Sequence, residues 1–325
     1  MTASLELYIS YLAILMAGFA FCPLPIDAPD ARLASLLDQV DATVMLGAGN
    51  SESPPEWAPT SVEWINVTET SVEADHSEYS DDSRKEVVDE RQQKCAYVLF
   101  TSGTMGTPKG VQISHYSASV SIAAHAAHLH PSLLQPSSAT SQSTFKWFQF
   151  ASTVFDPSVM EIFVTLSTGG TLCSAPRSLT LSDLETVVRL SGAGIMMATP
   201  SVATLLRPNR VPNLRVLWTM GESLNPMVIR NFAATNGRTW LANAYGPTEA
   251  SVNCTLLQPF PADYRGSIIG APLPSCSLAI VTERCNSDST VNHLEAVPRG
   301  VTGELVIGGP HVGMGYLRMP EATED

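Results

Sequence analysis

Hydrophobic and polar positions come in blocks along this chain, and the blocks read as helices and strands in turn. Leu33, Leu36 and Leu37 recur at helical spacing within residues 31–40, and a short apolar run at 42–46 reads as the strand that follows. Beyond residue 110, helical patterns at 114–129, 158–168, 182–190 and 225–234 interleave with apolar runs at 145–151, 194–198, 214–219 and 240–244. Strands separated by helices predict an α/β fold of mainly parallel sheets flanked by helices. From about residue 258 the pattern changes to short strands with Gly/Pro turns, as at 277–281 and 304–307, which predicts a small β-rich subdomain. The expected division is 1–257 for the α/β part and 258–325 for the β-rich part, without internal repeats.

Two stretches depart from this rhythm. Residues 50–94 are broken by Pro54, Pro55 and Pro59 and charged by Glu69, Glu73, Asp75, Glu78, Asp81, Asp82, Glu86, Asp89 and Glu90, which predicts a solvated, partly flexible insertion. Residues 7–26 carry no charge and nearly reach bilayer-spanning length. Gly18, Pro23 and Pro25 interrupt that run and no basic residue precedes it, so neither a membrane span nor a signal peptide is expected.

The 325 residues can bury a large core, and their net charge of −13 argues against nucleic-acid binding as a main activity. Six scattered cysteines without a Cys-x-x-Cys pair read as free thiols of a reducing, cytoplasmic compartment. His125, His128 and His130 lie close in sequence, but without an acidic or cysteine partner nearby they predict no metal site.

The chemistry concentrates at 97–110. The apolar run Tyr97–Phe100 breaks into Thr101, Ser102, Gly103, Thr104, Met105, Gly106, Thr107, Pro108, Lys109 and Gly110. Glycines let backbone N–H groups approach an anion, hydroxyls add donors and Lys109 adds charge, so the loop suits a polyphosphate. It is not the common P-loop, which ends in Gly-Lys-Ser/Thr. Alone, such a stretch reads better as a flexible surface loop; the strand in front, the lysine behind and the motifs downstream reverse that reading. The polar segments at 101–110, 219–223 and 245–249 each follow a strand candidate, and ligands bind at the carboxyl ends of parallel strands, so convergence there is expected.

Phe100-Thr-Ser-Gly-Thr-Met-Gly-Thr-Pro-Lys-Gly110 resembles the signature loop of adenylate-forming (AMP-binding) enzymes. Four further segments, in order, resemble their branch of nonribosomal peptide synthetase adenylation domains, of the fungal kind: Leu15-Met-Ala-Gly-Phe-Ala-Phe-Cys-Pro-Leu24, Phe155-Asp-Pro-Ser-Val-Met-Glu-Ile-Phe163, Asn243-Ala-Tyr-Gly-Pro-Thr-Glu249 and Gly303-Glu-Leu-Val-Ile-Gly-Gly-Pro-His-Val-Gly-Met-Gly-Tyr-Leu317. The resemblance makes residues 7–24 a buried helix to Met16, a glycine turn and a strand at 19–24. It implies that an amino acid and ATP, with Mg²⁺, give an aminoacyl-adenylate and pyrophosphate. Thr101, Ser102, Gly103, Thr104, Gly106 and Lys109 would hold the outer phosphates and Thr248 the α-phosphate. Met105 departs from the usual threonine and removes one hydroxyl. Tyr245 would stack on adenine, Asn243 and Ala244 would line its edge, and Glu249 would hold Mg²⁺.

By the same resemblance Asp156 would bind the substrate's α-ammonium group, although an aspartate before Pro157 reads equally as a helix cap. The side-chain pocket would comprise Asp156, Pro157, Met160, Met197, Trp218, Met220, Ala244, Val252 and Asn253, each of the Met and Trp residues being as well explained by core packing. Apart from Asp156 that set is uncharged, so a neutral, bulky side chain is expected. Large aliphatic or aromatic amino acids fit, as does an ornithine acylated and hydroxylated on its side-chain amine, a substrate found in fungal siderophore synthetases of the family. The implied partners are condensation and carrier-protein domains, with phosphopantetheine only on the carrier. The family's Tyr-Arg-Thr-Gly-Asp segment and its lysine-bearing C-terminal lid have no counterpart before Asp325, so impaired catalysis is expected of this chain. An acyl-CoA synthetase-like acid ligase and a non-catalytic nucleotide-binding remnant are the competing readings.

Overall fold

The computed structural model describes residues 1–49, 53–68, 93–101, 108–129, 145–233, 239–285 and 292–324. Its elements in chain order are α1 (Leu5–Met16), α2 (Asp30–Val40), β1 (Val44–Gly47), β2 (Glu63–Asn66), β3 (Cys95–Thr101), β4 (Lys109–Ser114), α3 (His115–Ala127), β5 (Lys146–Phe148), α4 (Pro157–Ser167) and β6 (Thr171–Cys173). There follow α5 (Arg177–Ser182), α6 (Leu184–Ser191), β7 (Ile195–Ala198), β8 (Val216–Thr219), β9 (Trp240–Tyr245), β10 (Thr255–Leu257), β11 (Ala271–Pro272), β12 (Ser277–Cys285), β13 (Asn292–Ala296), β14 (Glu304–Gly308) and β15 (Gly315–Tyr316). Most of the acidic insertion expected at 50–94 lies outside the described residues.

The central sheet has seven strands in the order β11-β10-β9-β8-β7-β5-β6. The run from β6 to β9 is parallel, and β10 and β11 close it antiparallel. Side chains alternate between its faces, as pleating requires. Trp147, Ile195, Met197, Val216, Trp218, Ala242 and Ala244 face one buried cluster, with Met160 and Val164 of α4. Phe148, Met196, Ala198, Leu217 and Leu241 face the other, with Leu184 and Val188 of α6. Covered on both sides, β7 and β8 are apolar at nearly every position rather than alternating.

A second sheet, β15-β4-β3, is antiparallel. Its Ala96, Leu99, Val111 and Ile113 pack on Leu7 and Tyr11 of α1 and on Val159 and Ile162 of α4. Helix α4 therefore lies between the two sheets, with Met160 and Val164 toward one and Val159 and Ile162 toward the other. The β-rich end forms a three-stranded antiparallel sheet, β13-β12-β14. Two later strands return to earlier layers: β11 pairs with β10 and β15 with β4.

Five expectations are corrected. Helix α1, expected to be buried, turns Leu7 and Tyr11 inward and leaves Leu5, Ile9, Leu12 and Met16 exposed. The described part of the 50–94 stretch is not all solvated: Glu63–Asn66 form β2, paired parallel with β1, and Val62 packs with Leu37 and Met45. Residues 19–24 form no strand; Phe21 alone bridges to Tyr97, because Pro23 and Pro25 have no N–H to extend a ladder. The strand before the glycine-rich loop belongs to an antiparallel hairpin, Thr101 opposite Lys109, and not to the parallel sheet. The helix expected at 225–234 is a turn at Pro226–Val228 that widens into a π-helical turn at Ile229–Ala233, burying Val228, Ile229 and Phe232 together. Among the described residues, no helix is long and apolar enough to cross a membrane.

Candidate functional site

The site is assembled where α4 begins and β9 ends. Asp156 occupies the position before α4, but its backbone is already helical and its side chain makes no capping bond, so the capping alternative does not hold. The carboxyl is buried, at 2% exposure. Burial pushes its pKa up to about 7; a hydrogen bond from Thr248 pulls the other way and the nearby Glu249 pushes it further up. Asp156, Thr248 and Glu249 are thus neighbours, although 92 residues separate the first two in sequence.

Glu249 is linked onward. The Tyr316 hydroxyl donates to its Oε1 at 2.6 Å, and Lys109 Nζ lies 4.7 Å from the centre of the Tyr316 ring. Strand β15 carries Tyr316 onto the hairpin that carries Lys109, and the Gly313 N–H donates to the Glu249 carbonyl at 2.7 Å. Thr101 closes the other side of the hairpin, opposite Lys109. Ser102, Gly103, Thr104 and Gly106 lie outside the described residues.

Tyr245 ends β9 with 40% of its surface exposed. The chain then doubles back, and the Cys254 N–H donates to the Tyr245 carbonyl at 2.8 Å. Gly246 is needed there, since a Cβ would lie 2.5 Å from Asn253 Cα and from the Val252 carbonyl oxygen. Just beyond, Ser251 and Val252 have φ of 52° and 84°. A β-branched residue at such φ costs about 1–3 kcal/mol and persists only where its surroundings hold it. They do: Ser121 Oγ donates to the Ser251 carbonyl at 2.6 Å, and Ser251 Oγ to the His311 carbonyl at 2.7 Å.

Asn243 is buried on β9, and its amide nitrogen donates to the Ile268 carbonyl at 2.9 Å. Its N–H groups therefore brace the 266–268 segment, while Oδ1 accepts from Thr219 Oγ1 at 3.4 Å. Met160, Met197, Trp218, Met220, Ala244 and Val252 join one buried cluster, at 3% exposure or less. Pro157 opens α4 beside them and Asn253 is fully buried. Trp218 Nε1 donates to Gln258 Oε1, and its ring meets Trp147 edge-on at 5.6 Å. Asn253 Nδ2 lies 3.1 Å from His125 Nε2 and 3.7 Å from Met160 Sδ.

Several supporting residues carry no motif that would flag them. Tyr316 and His311 lie within the 303–317 segment but have no individual signal, and His125 reads only as one of three neighbouring histidines without a metal partner. Glu161 is completely buried on α4 and accepts from the Phe150 and Ala151 N–H groups at 3.3 and 3.1 Å, holding the loop that leads to Asp156. Burial pushes its pKa up to about 8, against hydrogen bonds from Phe150, Ala151 and Gln149 that favour the anion. Its pKa is raised on folding, so its stabilising contribution is complete below the ordinary value of 4.5 and is lost as pH rises through about 8. Glu161→Gln is therefore expected to gain stability relative to the wild type between pH 6 and pH 9, on the order of 2 kcal/mol, in paired urea titrations. A difference independent of pH would mean that Glu161 is ionised throughout.

A model of the AMP-binding enzyme family matches residues 1–317. The chain is 74% identical over 322 residues to the siderophore peptide synthetase fer3 of Mycosarcoma maydis, covering 99% of this chain and 6% of that protein. It is 47% identical over 346 residues to the nonribosomal peptide synthetase sidC of Aspergillus fumigatus, covering 99% of this chain and 7% of that protein. The chain thus spans a small part of these curated relatives. Among solved structures, holo-AB3403, a four-domain nonribosomal peptide synthetase bound to AMP and glycine, superposes with a TM-score of 0.76 at 24% identity over 99% of this chain and 22% of that one. The Vibrio cholerae adenylation domain AlmE, in complex with glycyl-adenosine-5'-phosphate, gives 0.76 at 21% identity over 100% of this chain and 63% of that one. These two likenesses concern the fold, and the family match concerns the sequence itself: the chain belongs to the AMP-binding enzyme family.

Proposed function

We propose that this chain is the nucleotide- and amino-acid-binding core of a nonribosomal peptide synthetase adenylation domain. In the proposed reaction a carboxylate oxygen of the amino acid attacks the α-phosphorus of ATP. The bond from that phosphorus to the bridging oxygen breaks and pyrophosphate leaves. Two anions must meet, so the site's task is positioning and charge neutralisation. The observation that carries the reading is the buried Asp156 carboxylate beside Thr248 and Glu249. A carboxylate there suits an ammonium group and repels the head group of a simple fatty acid, which favours an amino-acid substrate over an acyl-CoA synthetase-like reaction.

Tyr245 offers an exposed ring for adenine, with Ala244 and Asn243 Oδ1 beside it on the strand. Thr248 is assigned to the α-phosphate, and Thr101 and Lys109, with Ser102, Gly103, Thr104 and Gly106, to the outer phosphates. The donor set fits Mg²⁺, a hard ion bound through one or two carboxylates plus phosphates; Glu249 would hold it and the ion would offset phosphate charge. Pro157, Met160, Met197, Trp218, Met220, Ala244, Val252 and Asn253 are assigned to a neutral side chain, since an amine among them would be buried unpaired. Condensation and carrier domains, the latter with phosphopantetheine, are the proposed partners.

Titration calorimetry with ATP–Mg²⁺, AMP and a non-hydrolysable aminoacyl-sulfamoyl adenosine tests this reading. All three should bind, the acyl analogue most tightly; an analogue no tighter than AMP would sink the amino-acid assignment. Lys109→Ala should weaken ATP by roughly tenfold and AMP by less than about twofold, because Lys109 is assigned to phosphates that AMP lacks. Equal loss for both nucleotides would move Lys109 away from the outer phosphates.

A further inference from the structure

Asn253 is gripped from two sides by histidines, and the grip decides which end of its amide is left over. His125 Nδ1 lies 2.7 Å from the Ser121 carbonyl oxygen, an atom that can only accept. Nδ1 therefore carries the ring proton. His125 is completely buried, and burial pulls its pKa down to about 4, so the imidazole is neutral and its Nε2 must accept. The group 3.1 Å from Nε2 is the Asn253 amide, which must therefore present its NH₂. His311 repeats the logic on the backbone: its Nδ1 lies 3.2 Å from the Asn253 carbonyl oxygen, and its Nε2 contacts Ser275 Oγ. With Nδ2 turned to His125 and toward Met160 Sδ, Asn253 Oδ1 is buried without a hydrogen-bond partner among the described residues. A buried acceptor in that condition is costly unless something donates to it.

We propose that His125 is a positioning residue for substrate choice: it fixes the Asn253 amide with Oδ1 free, so that the pocket selects a neutral side chain carrying an N–H or O–H donor near its end. The inference rests on the proposed function, and it narrows the neutral substrates allowed there. Purely hydrocarbon side chains leave Oδ1 unpaired, and side chains ending only in acceptors oppose it. Amides, hydroxamic acids and hydroxyls satisfy it.

The test compares two sulfamoyl-adenosine analogues of nearly equal shape. One carries Nδ-acetylornithine, whose side chain has an N–H. The other carries its ester isostere, with oxygen in place of that N–H. In calorimetry the wild-type chain should bind the amide at least about tenfold more tightly than the ester. In His125→Leu the ratio should fall below about threefold, and in His125→Gln, whose carbonyl oxygen can again accept from Asn253, it should largely return. AMP serves as the reference ligand and should bind all three proteins alike. Equal affinity for amide and ester in the wild type overturns the inference while leaving the proposed function intact. Binding of AMP but of neither acyl analogue overturns the proposed function, and this inference with it. Should His125→Leu fail to fold, ¹⁵N spectra of histidine-labelled wild type decide the tautomer: a protonated Nδ1 and bare Nε2 support the inference, and the reverse overturns it.

Discussion

Asp156→Ala is expected to weaken an aminoacyl-sulfamoyl adenosine by at least about a hundredfold while changing AMP affinity by less than about threefold. The carboxyl is 2% exposed, and removing one partner of a buried, hydrogen-bonded charge pair typically costs about 3–5 kcal/mol. The ammonium of the ligand would be the partner left behind. A des-amino analogue gives the companion measurement: it should bind the wild type weakly and the variant no worse. The same residue sets a pH dependence. Its pKa, raised to about 7 by burial, means that the anion proposed to bind the ammonium is a minority species in mild acid. Affinity for the amino analogue should rise about tenfold from pH 5.5 to pH 7, before the ligand's amine begins to deprotonate. That slope should vanish in Asp156→Ala. An unchanged affinity in the variant, or a flat profile in the wild type, would remove Asp156 from substrate binding.

Trp218→Ala should be the most destabilising single change in the proposed pocket, by about 3–5 kcal/mol, a large part of the stability of an ordinary domain. The residue is fully buried at the middle of the parallel sheet, meets Trp147 edge-on, and lies 6.1 Å from the His125 ring. Its loss opens a cavity between α4 and β8 and leaves Oε1 of the half-buried Gln258 without its donor. Trp218→Phe keeps most of the ring and loses only the N–H, so about 1–3 kcal/mol is expected. Urea unfolding of both variants separates the two contributions. An alanine variant as stable as the phenylalanine one would show that the site collapses around the gap.

The parallel strands β5 and β7 to β9 were legible because both of their faces are covered; β6, at the sheet edge and half exposed, was not. Ile195-Met-Met-Ala198 and Val216-Leu-Trp-Thr219 have few positions that polar residues could occupy, so the runs stand out. The helices at 30–40, 115–127, 157–167 and 184–191 were legible to within a few residues for a related reason, their apolar stripes, whereas the segment at 225–234, a short turn and a π-helical turn, was not. The hairpin β3–β4 was not. An apolar run ending in a glycine-rich loop looks the same before a helix and before an antiparallel partner, and only the pairing of Thr101 with Lys109 distinguishes them. At the site, residue types were legible and pairings were not. Asp156 was singled out by the resemblance of its segment, which also holds Glu161, yet its proximity to Thr248 depends on how α4 lies against β9. Asn243 and Asn253 were noticed as amides. Which of their atoms are spent is settled by carbonyls and rings that pattern cannot place, as with the Ile268 carbonyl and His125.

The pairing of β15 with β4 also governs when the proposed nucleotide side of the molecule can be completed during synthesis. The hydroxyl that meets Glu249 is supplied by a residue 67 positions further along the chain. At about 5–20 residues per second, a ribosome needs roughly 3–13 s to make that stretch, longer than many domains take to fold. Throughout that interval the outer edge of β4 at Val111 and Gln112 waits for Tyr316 and Gly315, its N–H and C=O groups open to any passing strand. Nascent chains paused between residues 250 and 316 are therefore where chaperone engagement and strand mispairing should concentrate, and release of Tyr316 from the exit tunnel should end both.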